Sequence, residues 1–250
     1  MNQLPISQQQ ASFKNLGSKF SSMFSVVNLK HTLSVMRNSS LIVKSFCVCI
    51  LIGYIISFKK ESIQYLSVIP GNLLPPNYYA WTLFTHSFIE YRLLELIFDW
   101  FIILTFTRML EPLWGIYECV QFYFIITVVV AISTSFFYLT AFALTFDELL
   151  LFDVKIHGLG GLLGGFCVAI KQIMPDTIIF NVSFMRLRQD HLPLMLILVS
   201  IIVSLIKITG FQYPVMVTFG VYTGWLYLRF FQKHKNGTRG DSSSTFTFSR

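Results

Sequence analysis

The 250 residues carry 54% apolar and 12% charged side chains, with a formal net charge of +7. A soluble domain usually holds about 25% charged residues, so the composition excludes an ordinary water-soluble fold. The positive residues lie outside the apolar runs or near their ends, which makes the charge a topology signal and excludes nucleic-acid binding as its explanation.

In chain order, residues 1–40 come first, with Lys14, Lys19, Lys30 and Arg37 and no acid. They lack the short apolar core and small-residue cleavage site of a signal peptide. Their Ser-rich, basic character fits a mitochondrial presequence or a cytosolic basic segment lying on the membrane. The second reading is preferred, because Val26, Leu29, Leu33 and Met36 form one helical stripe.

Six apolar segments follow, at 41–58, 88–107, 117–141, 156–174, 192–209 and 214–231. A helix crossing a hydrocarbon layer needs roughly 20 apolar residues, so the fold class expected is an all-α membrane protein with six transmembrane helices over 41–231. The second, fourth and sixth segments carry polar or glycine interruptions and should face other helices. Residues 232–250 read as a disordered cytosolic tail. With six spans both ends share one side. Placing them in the cytosol leaves Lys59, Lys60, Arg92, Lys155 and Lys207 on the far side, against 14 basic residues inside. That satisfies the positive-inside bias. The sequons at Asn38, Asn181 and Asn236 then face the cytosol and should carry no glycan.

The loop of 59–86 contains Ile69-Pro70-Gly71-Asn72-Leu73-Leu74-Pro75-Pro76-Asn77-Tyr78-Tyr79-Ala80-Trp81. Pro-Gly and Pro-Pro argue against helix there, and the aromatics suit the membrane interface. The expectation is a rigid loop resting at the far surface. No internal repeat is visible, which argues against an inverted-repeat transporter.

Glu95 and Asp99 are four apart and share a helical face. They read either as a proton or ion path or as hydrogen-bonders to neighbouring helices, helped by Arg92 or His157. Gly160/Gly164 and Gly161/Gly165 form two small-x-x-x-small faces suited to close helix approach. His157, at the entrance of that segment, reads as a structural hydrogen-bonder or a catalyst. Cys47, Cys49, Cys119 and Cys167 show no zinc spacing and read as small apolar packing. No metal site and no cofactor are expected. Serine catalysis needs a nucleophile beside a base, yet none of the five histidines (His31, His86, His157, His191, His234) lies in 214–231.

The order of these features resembles the rhomboid superfamily across 41–231. Trp81-Thr82 is similar to the Trp-Arg segment of the first rhomboid loop, with Thr82 replacing arginine. Glu95 and Asp99 fall on the His-x-x-x-Asn stretch that helps stabilise the oxyanion, and Arg108 to Gly115 is similar to the Gly-Arg-x-x-Glu…Gly ending of that helix. Gly158-Leu159-Gly160-Gly161 falls on Gly-x-Ser-Gly, with glycine at the nucleophile. The resemblance implies a rhomboid-like bundle with no catalytic residue and no enzyme activity.

Within the superfamily the chain more closely resembles the transmembrane protein 115 family. The carrying segments are 70–86, Leu110-Glu111-Pro112-Leu113-Trp114-Gly115, 156–172 and Trp225 to Phe230. The resemblance implies a multi-pass Golgi protein with cytosolic ends, acting as a scaffold in Golgi-to-ER retrograde vesicle transport. It also implies association with a Golgi tethering complex and with further copies of itself, within membrane lipids. Family members usually have a longer cytosolic tail. The membrane core would recognise transmembrane partners, while the ends and the loop of 175–191, with Arg186 and Arg188, would engage tethers. The structural residues singled out are Pro75, Pro76, Trp81, Glu111, Pro112, Trp114, Gly115, His157, Gly158, Gly161 and Gly165. Rival readings are a client-binding protein of membrane quality control, a transporter using Glu95, Asp99 and His157, and a protease using Ser133 or Ser135.

Overall fold

The computed structural model describes residues 41–173, 178–182, 185–188, 191–233 and 239–240. The apolar stripe expected at 26–37, and the sequons at Asn38 and Asn236, lie outside the described residues.

The helices in chain order are α1 (Leu41–Ser57), α2 (Lys60–Leu66), α3 (Thr82–Thr85), α4 (Leu93–Trp114), α5 (Ile116–Thr145), α6 (Leu149–Phe152), α7 (Gly160–Ile173), α8 (Leu192–Leu205) and α9 (Gln212–Leu226). A π-helical turn at Tyr227–Phe231 continues α9. Each of the six apolar segments therefore contains a helix. Among the described residues, α5 is the one helix long and apolar enough to cross a membrane by length and composition, and α1, α7 and α8 supply shorter apolar stretches.

Two segments begin later than expected. Residues 86–92 form a 3-10 turn at His86–Phe88 and a non-helical stretch that bends at Tyr91 and Arg92, so α4 starts at Leu93 rather than 88. Gly158, with φ of +81°, stops helix from forming at 156, and α7 starts at Gly160. The fold is helical as expected, with one short hairpin among the described residues. Residues β1 (Ile178–Val182) and β2 (Met185–Arg188) form an antiparallel hairpin that pairs Asn181 with Arg186 and Ile178 with Arg188. Ile178, Ile179, Phe180 and Val182 are β-formers, and they override the loop expected at 175–191.

The helices bury one stripe and expose another that is equally apolar. On α1, Val43, Cys47 and Ile50 are buried at i, i+4 and i+7, while Val48, Ile52 and Ile55 face outward. On α5, Phe122, Ile126, Val130 and Thr134 face inward at every fourth position, whereas Ile132, Phe136 and Leu144 are exposed. On α8, Leu194, Leu198, Val199, Ile202 and Leu205 are exposed. Exposed apolar area on this scale marks a surface that meets something other than water, as the outer wall of a lipid-embedded bundle does.

Glycine sets the tightest crossing in the core. A Cβ on Gly220 of α9 would lie 2.0 Å from the carbonyl oxygen of Gly161, and one on Gly224 would lie 2.6 Å from Cα of Gly165. A Cβ on Gly164 would meet the Val217 carbonyl oxygen at 2.5 Å. The backbones of α7 and α9 are thus in direct contact, as small residues permit in membranes.

The segment between α1 and α4 is folded, not a bare loop. Pro70 opens a 3-10 turn at Pro70–Leu73, correcting the expectation that Pro-Gly excludes helix here. At the first position of a helix, proline's missing N–H costs nothing. Val68 and Ile156 exchange backbone hydrogen bonds of 3.0 and 2.8 Å. The Thr85 hydroxyl donates to Leu66 O at 2.8 Å, and the Ser87 and Tyr123 hydroxyls meet at 2.9 Å. These contacts pin the segment over α5 and against the start of α7.

Candidate functional site

The structural residues of the sequence reading fall in three places. Pro75 and Pro76 are exposed beyond the 3-10 turn, joined by a cis peptide bond. Trp81 is half exposed, donates its indole N–H to Tyr65 O at 2.9 Å and stacks on Tyr79 with ring centres 4.8 Å apart. Thr82, which the sequence reading set against the rhomboid arginine, is buried and donates to Tyr79 O at 2.6 Å.

The second place is the α4–α5 corner. The Gly115 N–H donates to Glu111 O at 2.9 Å, and Gly115 adopts φ of +90° with α5 starting at the next residue. Pro112 lies within α4 and is exposed. The Trp114 ring meets Phe122 edge-on at 5.5 Å. Close in the chain to this corner, buried Glu118 accepts the Tyr227 hydroxyl at 2.6 Å and the Lys233 N–H at 3.1 Å. Gln172 donates to Gln232, which is itself buried, at 3.1 Å. Of the tail expected to be disordered, the described part is therefore anchored by hydrogen bonds, and Lys233 bridges Arg239.

The third place is where residues 86–99 meet residues 156–160. The His86 carbonyl accepts the Gly158 N–H at 2.9 Å, and the His86 ring contacts Thr82 O at 3.1 Å. A Cβ on Gly158 would lie 2.4 Å from a Glu90 carboxylate oxygen, so a side chain there would displace that carboxylate, and the φ itself favours glycine. His157 then faces Glu90, with Nδ1 3.6 Å from Oε2. The His157 and Tyr91 rings lie 4.0 Å apart. Glu95 and Asp99, on one face of α4 as their spacing requires, turn toward the same point, and Glu90 makes side-chain contact with both.

Donors are scarce in this cluster. Asp99 Oδ2, Glu95 Oε2 and His157 Nδ1 are buried atoms that find no hydrogen-bond partner. The Arg92 guanidinium reaches only 4.0 Å from Glu95, is largely exposed, and donates instead to the Ile208 carbonyl. Arg92 stands within ion-pair reach of Glu95, as the structural reading expected, while His157 pairs with Glu90. The carboxyls converge on Glu90, which the sequence reading missed because it stands outside α4 and far from His157 along the chain.

At Gly160, which the sequence reading set against the rhomboid nucleophile, a Cβ would meet the Tyr213 ring at 2.8 Å. The space a serine side chain would need there holds an aromatic ring. Gly161 is closed off in the same way by Val130, at 2.6 Å. Gly165 has a looser fit, with Phe122 at 3.3 Å. Ser135 is buried and donates to Ala131 O of its own helix at 2.8 Å.

The family described as "Eukaryotic integral membrane protein (DUF1751)" matches residues 44–250. The chain is 35% identical over 221 residues to "Transmembrane protein 115" of Homo sapiens, covering 88% of this chain and 61% of that protein. The Bos taurus protein of the same name matches at 35% over the same length, with the same 88% and 61% coverage. "Rhomboid-like protein 19" of Arabidopsis thaliana is 29% identical over 218 residues, covering 86% of this chain and 69% of that protein. The chain thus spans 61% of the length of the transmembrane protein 115 relatives.

Proposed function

Because the chain belongs to the DUF1751 family of eukaryotic integral membrane proteins, we propose that it is a non-catalytic, rhomboid-like Golgi scaffold in Golgi-to-ER retrograde transport. The observation that carries the non-catalytic part is the Tyr213 ring against Gly160. Acyl transfer needs a nucleophile hydrogen-bonded to a base, and α9 contains no histidine. The trafficking part is supported by similarity to the transmembrane protein 115 relatives.

In this reading six helices cross the bilayer with both chain ends in the cytosol, which keeps most basic residues inside. The exposed apolar faces of α1, α5 and α8 meet lipid or partner helices. The cytosolic ends and the hairpin bearing Arg186 and Arg188 meet a Golgi tethering complex, and further copies of the chain associate through the membrane core. The experiment is co-isolation of the tagged full chain from solubilised Golgi membranes. Enrichment of tethering-complex subunits over a control membrane protein supports the reading. Residence in another membrane without enrichment overturns it.

A second reading, ion transport, is favoured by one observation, the convergence of Glu90, Glu95 and Asp99 inside the bundle. It requires ion flux in vesicles reconstituted with the full chain and loss of that flux in Asp99→Asn.

A further inference from the structure

We propose that Glu90, Glu95 and His157 form a binding site for a single divalent transition-metal ion, with Asp99 orienting Glu90 through a hydrogen bond. The proposal stands apart from the trafficking reading and does not depend on it.

The first support is the ligand set and its spacing. One carboxylate oxygen from each glutamate and one ring nitrogen of His157 all lie within 4.8 Å of one another. Zinc bonds of roughly 2.0–2.2 Å in tetrahedral geometry place neighbouring ligand atoms about 3.3–3.6 Å apart. His157 Nδ1 stands 3.6 Å from Glu90 Oε2. That separation exceeds a hydrogen bond of about 2.7–3.2 Å, and it is what two ligands of one ion adopt.

The second support is independent of the cluster's composition. His157 Nδ1 and Asp99 Oδ2 are buried and have no hydrogen-bond partner, and Asp99 as a whole is 6% exposed. Buried polar atoms are nearly always satisfied, and an orphan points to a water or ion. Within a membrane bundle the demand is stronger, since three carboxyls packed together need either protons or a cation among them. The basic side chains near them supply it only in part. Arg92 stays 4.0 Å from Glu95 and makes its hydrogen bond elsewhere, and Lys155 forms no ion pair with the three carboxyls among the described residues.

The third support is architectural. The glutamates come from one chain segment and the histidine from another. The Val68–Ile156 backbone pair and the Gly158 N–H bond to His86 O hold the two segments in register. Glycine at 158 leaves the space that the Glu90 carboxylate occupies. Asp99 hydrogen-bonds Glu90, the relation of a carboxylate that fixes a metal ligand's orientation. Glu95 is a quarter exposed, which gives an ion a way in. One imidazole with two carboxylates suits zinc, and manganese more weakly, in the usual order of affinities.

The experiment uses the purified full chain in detergent, stripped with chelator and titrated with Zn2+ and, in parallel, Mn2+. Bound metal is counted after gel filtration, and Co2+ substitution is followed by absorption. The expected results are one Zn2+ per chain, weaker Mn2+ retention, and a cobalt spectrum free of thiolate charge transfer. Glu95→Gln, at the partly exposed ligand, should lower zinc affinity at least 100-fold while the protein keeps its elution volume. Asp99→Asn should lower it roughly 10- to 100-fold, the range of supporting-residue changes. If His157→Gln does not fold, Glu95→Gln alone carries the test. Absence of stoichiometric metal in the unaltered chain would overturn the site and leave protons shared among the carboxyls. Zinc binding unchanged in folded Glu95→Gln would overturn it equally.

Discussion

The backbones of Gly161 and Gly220 touch: a Cβ on Gly220 would lie 2.0 Å from the Gly161 carbonyl oxygen. No side chain larger than hydrogen fits without separating α7 from α9. Gly220→Ala should therefore destabilise the bundle by about 1–3 kcal/mol, the usual range for overpacking, and Gly220→Val by more. Thermal unfolding of the purified chain in detergent measures this. An unchanged midpoint in Gly220→Val would show that the two helices are free to part.

Gly115 makes the contrasting case. A Cβ there meets nothing within 4 Å, so the demand is conformational, from φ of +90° at the α4–α5 corner. Gly115→Ala should cost about 1–3 kcal/mol through the strained backbone alone. Substituting leucine should add little beyond that, because the space is open. A large difference between alanine and leucine in the same unfolding assay would contradict this assignment.

The Glu118–Tyr227 hydrogen bond of 2.6 Å links α5 to the turn that ends α9. Tyr227→Phe leaves Glu118 with the Lys233 N–H as its remaining hydrogen-bond donor here. A buried acceptor losing a partner costs about 1–3 kcal/mol. The unfolding midpoint should fall accordingly, and proteolysis near Lys233 should speed up. No change in either would mean that water replaces the phenol.

Restoring a serine at the rhomboid position should not restore catalysis. Gly160→Ser faces the Tyr213 ring at 2.8 Å and has no histidine on α9 to act as base. Neither the unaltered chain nor the variant should react with a fluorophosphonate serine-hydrolase probe. Labelling of the unaltered chain would reinstate an active enzyme.

Much of this was legible in the sequence where the signal is local. Run length marked the six helical segments, and the spacing of Glu95 and Asp99 put them on one face of α4. The Gly160–Gly165 stretch signalled a close helix approach, although Gly160 itself packs on Tyr213 instead. Gly220 and Gly224 repeat the same small-x-x-x-small spacing and could have been recognised as the matching face. What stayed hidden depends on tertiary contact. Glu90 joins Glu95, Asp99 and His157 only because Val68 pairs with Ile156 and draws two distant segments together. The start of α4 was misplaced for a related reason, since Ser87 is held by Tyr123 and His86 by Gly158, and these bonds favour a turn over continued helix.

The most direct measurement is the rate at which a tagged cargo returns from Golgi to ER after depletion of this protein, with the intact chain re-expressed as rescue. Slowed return that re-expression restores is the predicted result. An unchanged rate despite verified depletion would contradict the retrograde scaffold.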